Sequence, residues 1–338
     1  MRKGTRSVGA QRQYSGTAGR IENCQIGVFL AYAGPKGHAL LDRALYLPEG
    51  WAKDATRRAR AGVPEAVTFT TKPKLGRIML ERALTAGVPC AWVVGDSVYG
   101  ADHTLRRCVE QRGRGYVLAV TSTQRLGLKP VEDWLEDVPA KAWRRLSAGD
   151  GAKGPRFYDW AYLPSRSLAA EGWRKGVLIR RSLAEPDQLA FHPTLAPAAT
   201  SLAELMRVAG TRWAVEACFP PRTGPRPAGD PGFEAAKGEV GLDQYEVRSW
   251  TGWHRHVTLA MLAHVYLAVV RQAAIGGTAD RRPRRRAGTP HRARGAPPAV
   301  AAGVGAAARS RADDRLVALA PPPPAARLPL PLATTNRL

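Results

Sequence analysis

Apolar positions in the first 120 residues fall into two rhythms, one suited to strands and one to helices. Gln25–Ala33 (QIGVFLAYA) and His38–Leu47 (HALLDRALYL) read as strands, joined by the turn Gly34-Pro35-Lys36-Gly37 into a hairpin. Leu75, Ile78, Met79, Leu80 and Leu84 recur at helical spacing, which predicts a helix over Leu75–Ala86 ending at Gly87. Pro89–Gly95 (PCAWVVG) is a continuous apolar run, the pattern of a strand buried on both faces. A short charged helix over Asp102–Arg112 and a second buried strand over Gly115–Val120 follow. Strand, helix, strand, helix, strand predicts an α/β fold with right-handed crossovers and a largely parallel sheet.

The rhythm changes at Thr121. Up to Leu195 the chain reads as short strands and turns, with strands over Arg156–Tyr162 and Gly176–Arg181 and tryptophans at Trp134, Trp143, Trp160 and Trp173. Ser201–Phe219 reads as a helix opened by a capping box, Ser201 with Glu204. Thr251–Gln272 is apolar all round, which predicts a buried helix. From Gly276 to Leu338 periodicity gives way to Arg, Pro, Ala and Gly, with RRPRRR at Arg281–Arg286 and PPPP at Pro321–Pro324. Such a segment buries too little apolar surface to offset its ordering entropy, so a disordered tail is expected. It reads either as a DNA-backbone-binding tail or as sequence never selected for a fold.

Charge narrows the partners. Lys and Arg number 51 against 28 Asp and Glu, and 51 − 28 leaves +23 on 338 residues. That balance attracts polyanions, though nucleic acid and membrane surfaces both qualify. The longest apolar run, Val257–Val270, is interrupted by His264 and too short to span a bilayer. No charged-then-apolar leader follows Met1, so a cytoplasmic, nucleoid-associated protein is expected. Cys24, Cys90, Cys108 and Cys218 form no CxxC pair, which argues against a zinc ribbon or a disulfide scaffold.

Candidate chemistry sits where parallel strands end. The run Pro89–Gly95 leads directly into Asp96, and the helix over Ser201–Phe219 carries Arg212 and Glu216 four residues apart on one face. Carboxylates are the hard oxygen donors that Mg²⁺ prefers, and paired ions can clamp the two oxygens of a phosphodiester displacement. By position alone, Asp96 reads more readily as a helix cap, and Arg212 with Glu216 as a surface ion pair. The basic, Gly-rich segment with Lys3, Arg12, Tyr14 and Arg20 reads either as a phosphate contact or as a solvated loop. His254 and His256 find no third ligand at metal spacing, and Gly95 and Gly100 complete no phosphate loop.

Four segments in order, Gly4–Ala33, Trp92–Gly100 (WVVGDSVYG), Arg212–Phe219 (RWAVEACF) and Ala235–His264, resemble a bacterial insertion-sequence transposase of the DDE superfamily. The resemblance runs from Lys3 to about Thr278. It implies a ribonuclease-H-like mixed sheet flanked by helices, with a β-rich insertion before the catalytic glutamate. By that resemblance, Asp96 and Glu216 are the second and third acids holding Mg²⁺ or Mn²⁺, and Arg212 and Lys237 are supporting or DNA-contacting residues. Arg12 and Arg20 are further DNA-contact candidates, and insertion aromatics are candidates for stacking on a flipped base. The implied organisation is a first part of the core at 1–120, the insertion at 121–195, a helical completion at 196–275 and the tail at 276–338. The implied partners are DNA, as terminal inverted repeats and target, and a second copy of the chain as a homodimer.

The chain departs from that family pattern in three places. The leading Asp lies on a central strand that corresponds to sequence before Met1, so the first ligand and its strand are expected to be missing. Asp42 and Glu22 are the nearest acids, and neither fits the role. Pro220–Phe233 (PPRTGPRPAGDPGF) separates Glu216 from Lys237 by 21 positions, against seven in the family, and is expected to loop out. The tail after about Thr278 continues no family pattern. A truncated, inactive copy is the expectation, with a non-catalytic DNA-binding remnant as the alternative.

Overall fold

The structure is a computed structural model, which describes residues 6–15, 20–34, 37–151, 154–216, 240–246, 248–279 and 316–320. Pro220–Phe233 and Lys237 lie outside them. The first half holds β1 (Gln11–Ser15), β2 (Arg20–Cys24), β3 (Gly27–Gly34), β4 (Gly37–Leu45), α1 (Glu49–Ala52), α2 (Ala55–Ala61), α3 (Lys72–Thr85), β5 (Trp92–Gly95), α4 (Ser97–Gly100), α5 (His103–Gln111) and β6 (Gly115–Leu118). The short pair β7 (Arg125–Leu126) and β8 (Lys129–Pro130) follows, then β9 (Arg144–Gly151), β10 (Gly154–Pro164), β11 (Trp173–Arg181) and β12 (Leu189–Pro197). Helices α6 (Leu202–Glu216) and α7 (Trp250–Ala279) and the strand β13 (Leu316–Ala320) close the order.

Nine strands form one mixed sheet in the order β4-β3-β13-β5-β6-β12-β11-β10-β9. Among the described residues only β13 with β5 and β5 with β6 run parallel, so the expectation of a largely parallel sheet is corrected. The reason is connectivity: β3–β4 and the β9-to-β12 meander are joined by turns too short for a crossover, which leaves antiparallel pairing as their only option. The insertion rejoins the core through β12, whose Thr194 and Leu195 pair with Val117 and Tyr116 of β6. Sequence reading misses β9 and β12. An internal Pro193 argues against a central strand, yet it is tolerated where β6 pairs only at the next two residues.

Alternation along the central strands sorts the core into two layers. Phe29, Ala31, Trp92, Val94 and Val117 pack with Leu205, Val208 and Ala209 of α6 and with Trp253 and Val257 of α7. Val28, Leu30, Val93, Tyr116 and Leu118 pack on the other face with Met79 and Leu80 of α3 and Leu105 and Val109 of α5. Helix starts are chemically marked: Thr71, Asp102 and Ser201 accept from Lys74, Leu105 and Glu204 backbone N–H groups at 3.4, 2.7 and 3.1 Å. α3 begins at Lys72, before the apolar spacing, because the Thr71 cap and Pro73 set its first turn.

Two further expectations change. Helix α7 is not buried all round. Trp253, Val257, Ala260, Met261 and His264 face the core, while Leu259, Leu262, Tyr266 and Val269 are exposed. The helix lies against β4, the outermost strand at that end, so one side has a layer beneath it and the other has none among the described residues. The tail expected to lack structure contributes α7 as far as Ala279 and the strand β13. β13 is an apolar pentapeptide, LVALA, seated between β3 and β5, the slot that the resemblance assigns to the family's leading strand. Backbone edges on both sides supply its partners: five register positions on β3 and four on β5.

Candidate active site

All four residues of β5 are buried, and the chain leaves the sheet at Asp96. Asp96 caps the one-turn helix α4: its Oδ1 accepts from the Val98 N–H at 2.9 Å. The turn is fixed from below. Tyr99 is fully buried, and a Cβ at Gly100 would stand 1.8 Å from the carbonyl oxygen of Ala119, so only glycine lets α4 sit this close to the exit of β6. Asp96 is therefore both the cap that position alone suggests and the residue at the strand tip. Its side chain is not free surface, at 8% exposure for the residue.

Burial pushes the Asp96 carboxyl up to about 6, against the opposing pull of the Val98 N–H, Arg212, the Tyr99 N–H and Lys72. Arg212 reaches Asp96 from α6. That helix is drawn tight against β9 at Gly210, where a Cβ would meet the Ala148 carbonyl oxygen at 2.3 Å. Burial lowers the Arg212 guanidinium to about 10, with Asp96 favouring its charge and Arg180 opposing it, so it stays cationic at neutral pH. Lys72, at the start of α3, is lowered by burial, with Asp96 pulling the other way, and its ammonium lies 5.3 Å from the centre of the Tyr46 ring. Behind them lies His192, 4% exposed, its Nδ1 3.3 Å from the Leu178 carbonyl oxygen. Burial, with Arg180 and Arg212 nearby, drives that imidazole down to about 3, so it is neutral.

The structure thus brings Asp96 and Arg212 together. Glu216 is the last residue of α6, four positions after Arg212, and its side chain lies outside the described residues, as does Lys237. Sequence reading misses Lys72, Arg180 and His192. A lysine opening a helix and charged residues inside apolar strands were the available signals. Asp42 is tied to Arg82 at 2.6 Å and Glu22 to Arg20 at 3.7 Å. His254 and His256 bond the Trp250 and Gly241 carbonyls at 3.0 Å each. Among the insertion aromatics that are candidates for stacking, Trp160 is fully buried and Trp134, Trp143 and Trp173 are partly buried, while Phe157 is 51% exposed.

Among the described residues no three His, Cys, Asp or Glu side chains converge as a metal site. Asp96 offers one carboxylate, with one oxygen already accepting from Val98 and two cations acting on it. These donors fall short of the oxygen shell Mg²⁺ takes. The parallel register pairs Leu319 with Gly95, which brings Ala320, not an acid, level with Asp96 on the neighbouring strand. Among the described residues no helix is long and apolar enough to cross a membrane.

No curated protein matches the chain. Residues 1–157 match the family model described as DDE superfamily endonuclease, a stretch that holds β1 through β6 and Asp96 and ends before Arg212 and Glu216.

Proposed function

We propose that the chain is a DDE-type transposase copy that binds DNA, with insertion-sequence ends as its substrate, and does not cut it. The observation that carries this reading is the setting of Asp96: a strand-tip carboxylate beside Arg212 and Lys72, with Ala320 level with it on the adjacent strand. Cations gathered at a sheet edge suit a phosphodiester backbone. In an intact relative, Mg²⁺ or Mn²⁺ would supply an activated water and charge neutralisation for hydrolysis, followed by attack of the freed 3′ hydroxyl on target DNA. In such a relative the residues at the positions of Asp96 and Glu216 would hold the ions, that at Arg212 would orient the carboxylates or a phosphate, and that at Lys237 would contact the strand near the cut. Two acids leave an ion loosely placed, and a small misplacement costs about 10²-fold in rate. The reading includes a homodimer as the working assembly.

The test uses the full chain, a labelled duplex and a supercoiled plasmid. Duplex binding measured by anisotropy should weaken steeply from about 50 to 200 mM salt, and plasmid should stay uncut with Mg²⁺ or Mn²⁺. Metal-dependent nicking abolished by Asp96→Ala would overturn the inactive reading. Absence of salt-sensitive binding would overturn the DNA reading altogether.

A further inference from the structure

The β1–β2 ribbon forms a sheet of its own, separate from the main one, and three side-chain hydrogen bonds hold its root. Gln13 Nε2 donates to the Cys24 carbonyl at 2.8 Å, Trp51 Nε1 to the Ala10 carbonyl at 2.8 Å, and Gln25 Nε2 to the Val8 carbonyl at 2.7 Å. Toward the tip the side chains sort by strand parity. Arg12 and Tyr14 share a face with Ile21, which pairs directly with Tyr14, and all three are exposed, Tyr14 by 47% and Ile21 by 62%. Gln13 and Glu22 occupy the opposite parity and are only partly exposed, and Arg20 at the far end of that side is open, its nearest carboxylate Glu22 at 3.7 Å. An exposed tyrosine and isoleucine directly opposite each other do nothing for the core, and arginines displaced to both faces suit a partner with two anionic walls.

We infer that this ribbon enters the major groove of duplex DNA, with Tyr14 and Ile21 against base edges and Arg12 and Arg20 on the flanking phosphates. The major groove, about 12 Å wide, admits a two-stranded ribbon, whereas the minor groove, about 6 Å wide, does not. Five residues per strand at about 3.4 Å rise give a prong of about 14 Å, longer than the roughly 8.5 Å depth of that groove. The root also lies beside the candidate site: Cys24 and Asp96 both act on the Lys72 ammonium. The inference rests on the DNA reading above and names the surface that reads the duplex.

Three double variants of the full chain, assayed by anisotropy on one duplex over a salt series, test it. Arg12→Gln with Arg20→Gln should flatten the slope of log affinity against log salt by about 2, one phosphate contact each. Tyr14→Ser with Ile21→Ser should weaken binding about tenfold and leave the slope unchanged, since no phosphate contact is lost. Arg107→Gln with Arg114→Gln, exposed arginines on α5 and in the turn after it, should leave affinity and slope near wild type. Thermal melting of each variant checks that the fold is kept. If wild type binds and the ribbon variants match the α5 control, the ribbon assignment is overturned while the DNA reading stands. If wild type itself fails to bind duplex, the DNA reading falls first.

Discussion

Substituting Ala318→Pro should test whether the chain completes its own sheet. Ala318 is the middle residue of β13, opposite Ala31 of β3 on one side and Val94 of β5 on the other. Proline removes one ladder N–H and strands the carbonyl it served on a neighbouring strand. A lost ladder bond costs about 1 kcal/mol net and a dry, unpaired carbonyl about 1–3 kcal/mol more, so roughly 3 kcal/mol is expected. For a fold of this size that lowers Tm by roughly 6–12 °C. Successive N–H groups on a strand point to opposite sides, so Val317→Pro and Ala318→Pro should loosen different neighbours. Hydrogen exchange should show one substitution deprotecting β3 and the other β5, while circular dichroism records both melting early. If Tm stays within about 1 °C and protection of β3 and β5 is unchanged, β13 does not occupy the central slot.

Gly100→Ala should destabilise by about 3 kcal/mol in urea unfolding, because its Cβ meets the backbone of Ala119 on a turn with no room to shift. His192 has a folded pKa near 3 against an unfolded value near 6.5, so its stabilising contribution is complete above pH 6.5 and is lost as pH falls toward 3. Between pH 7 and 5 the stability gap between wild type and His192→Gln should therefore shift by about 2 kcal/mol against the wild type, and a pH-independent gap would refute the buried neutral imidazole. On α7, Leu262→Gln should change stability by no more than about 0.5 kcal/mol, whereas Val257→Ala should cost about 1–2 kcal/mol.

The legible parts of this fold are those where one signal suffices. PCAWVVG announces a strand buried on both faces, and Asp96 follows it because a chain leaving a sheet needs a polar residue to cap the next turn. The Arg212 and Glu216 spacing is likewise readable, and α6 carries both. What stays hidden depends on partners distant in sequence. β13 becomes a strand only because β3 and β5 leave a gap beside it; within a Pro- and Arg-rich tail, LVALA carries no periodicity. Lys72 and Arg180 read as ordinary solvated cations until α3 brings the first toward Asp96 and β11 brings the second toward Arg212 and His192. The one-sided burial of α7 is invisible because an apolar face looks the same whether or not a layer covers it.

On the proposed DNA reading, the charge of Asp96 decides how the site meets a phosphate. Its folded pKa of about 6 lies above the unfolded value of 3.8, so between those pH values the folded state holds more protons, and stability falls as pH rises toward 6. Above pH 6 the ionised carboxylate is a standing cost on the order of 2–3 kcal/mol, which Arg212 and Lys72 reduce without cancelling. Asp96→Asn can keep the cap to Val98 while removing that charge. In metal-free buffer the variant should be more stable than wild type at pH 8, with the gap closing by pH 4. It should also bind duplex more tightly at pH 8, because an arriving phosphate then meets Arg212 and Lys72 with no anion between them. A carboxylate that served mainly to hold an ion in place would behave differently: with Mg²⁺ present, its loss would weaken DNA binding. Tighter binding by Asp96→Asn, with and without Mg²⁺, is the outcome expected of a site whose described charges favour holding the backbone over breaking it.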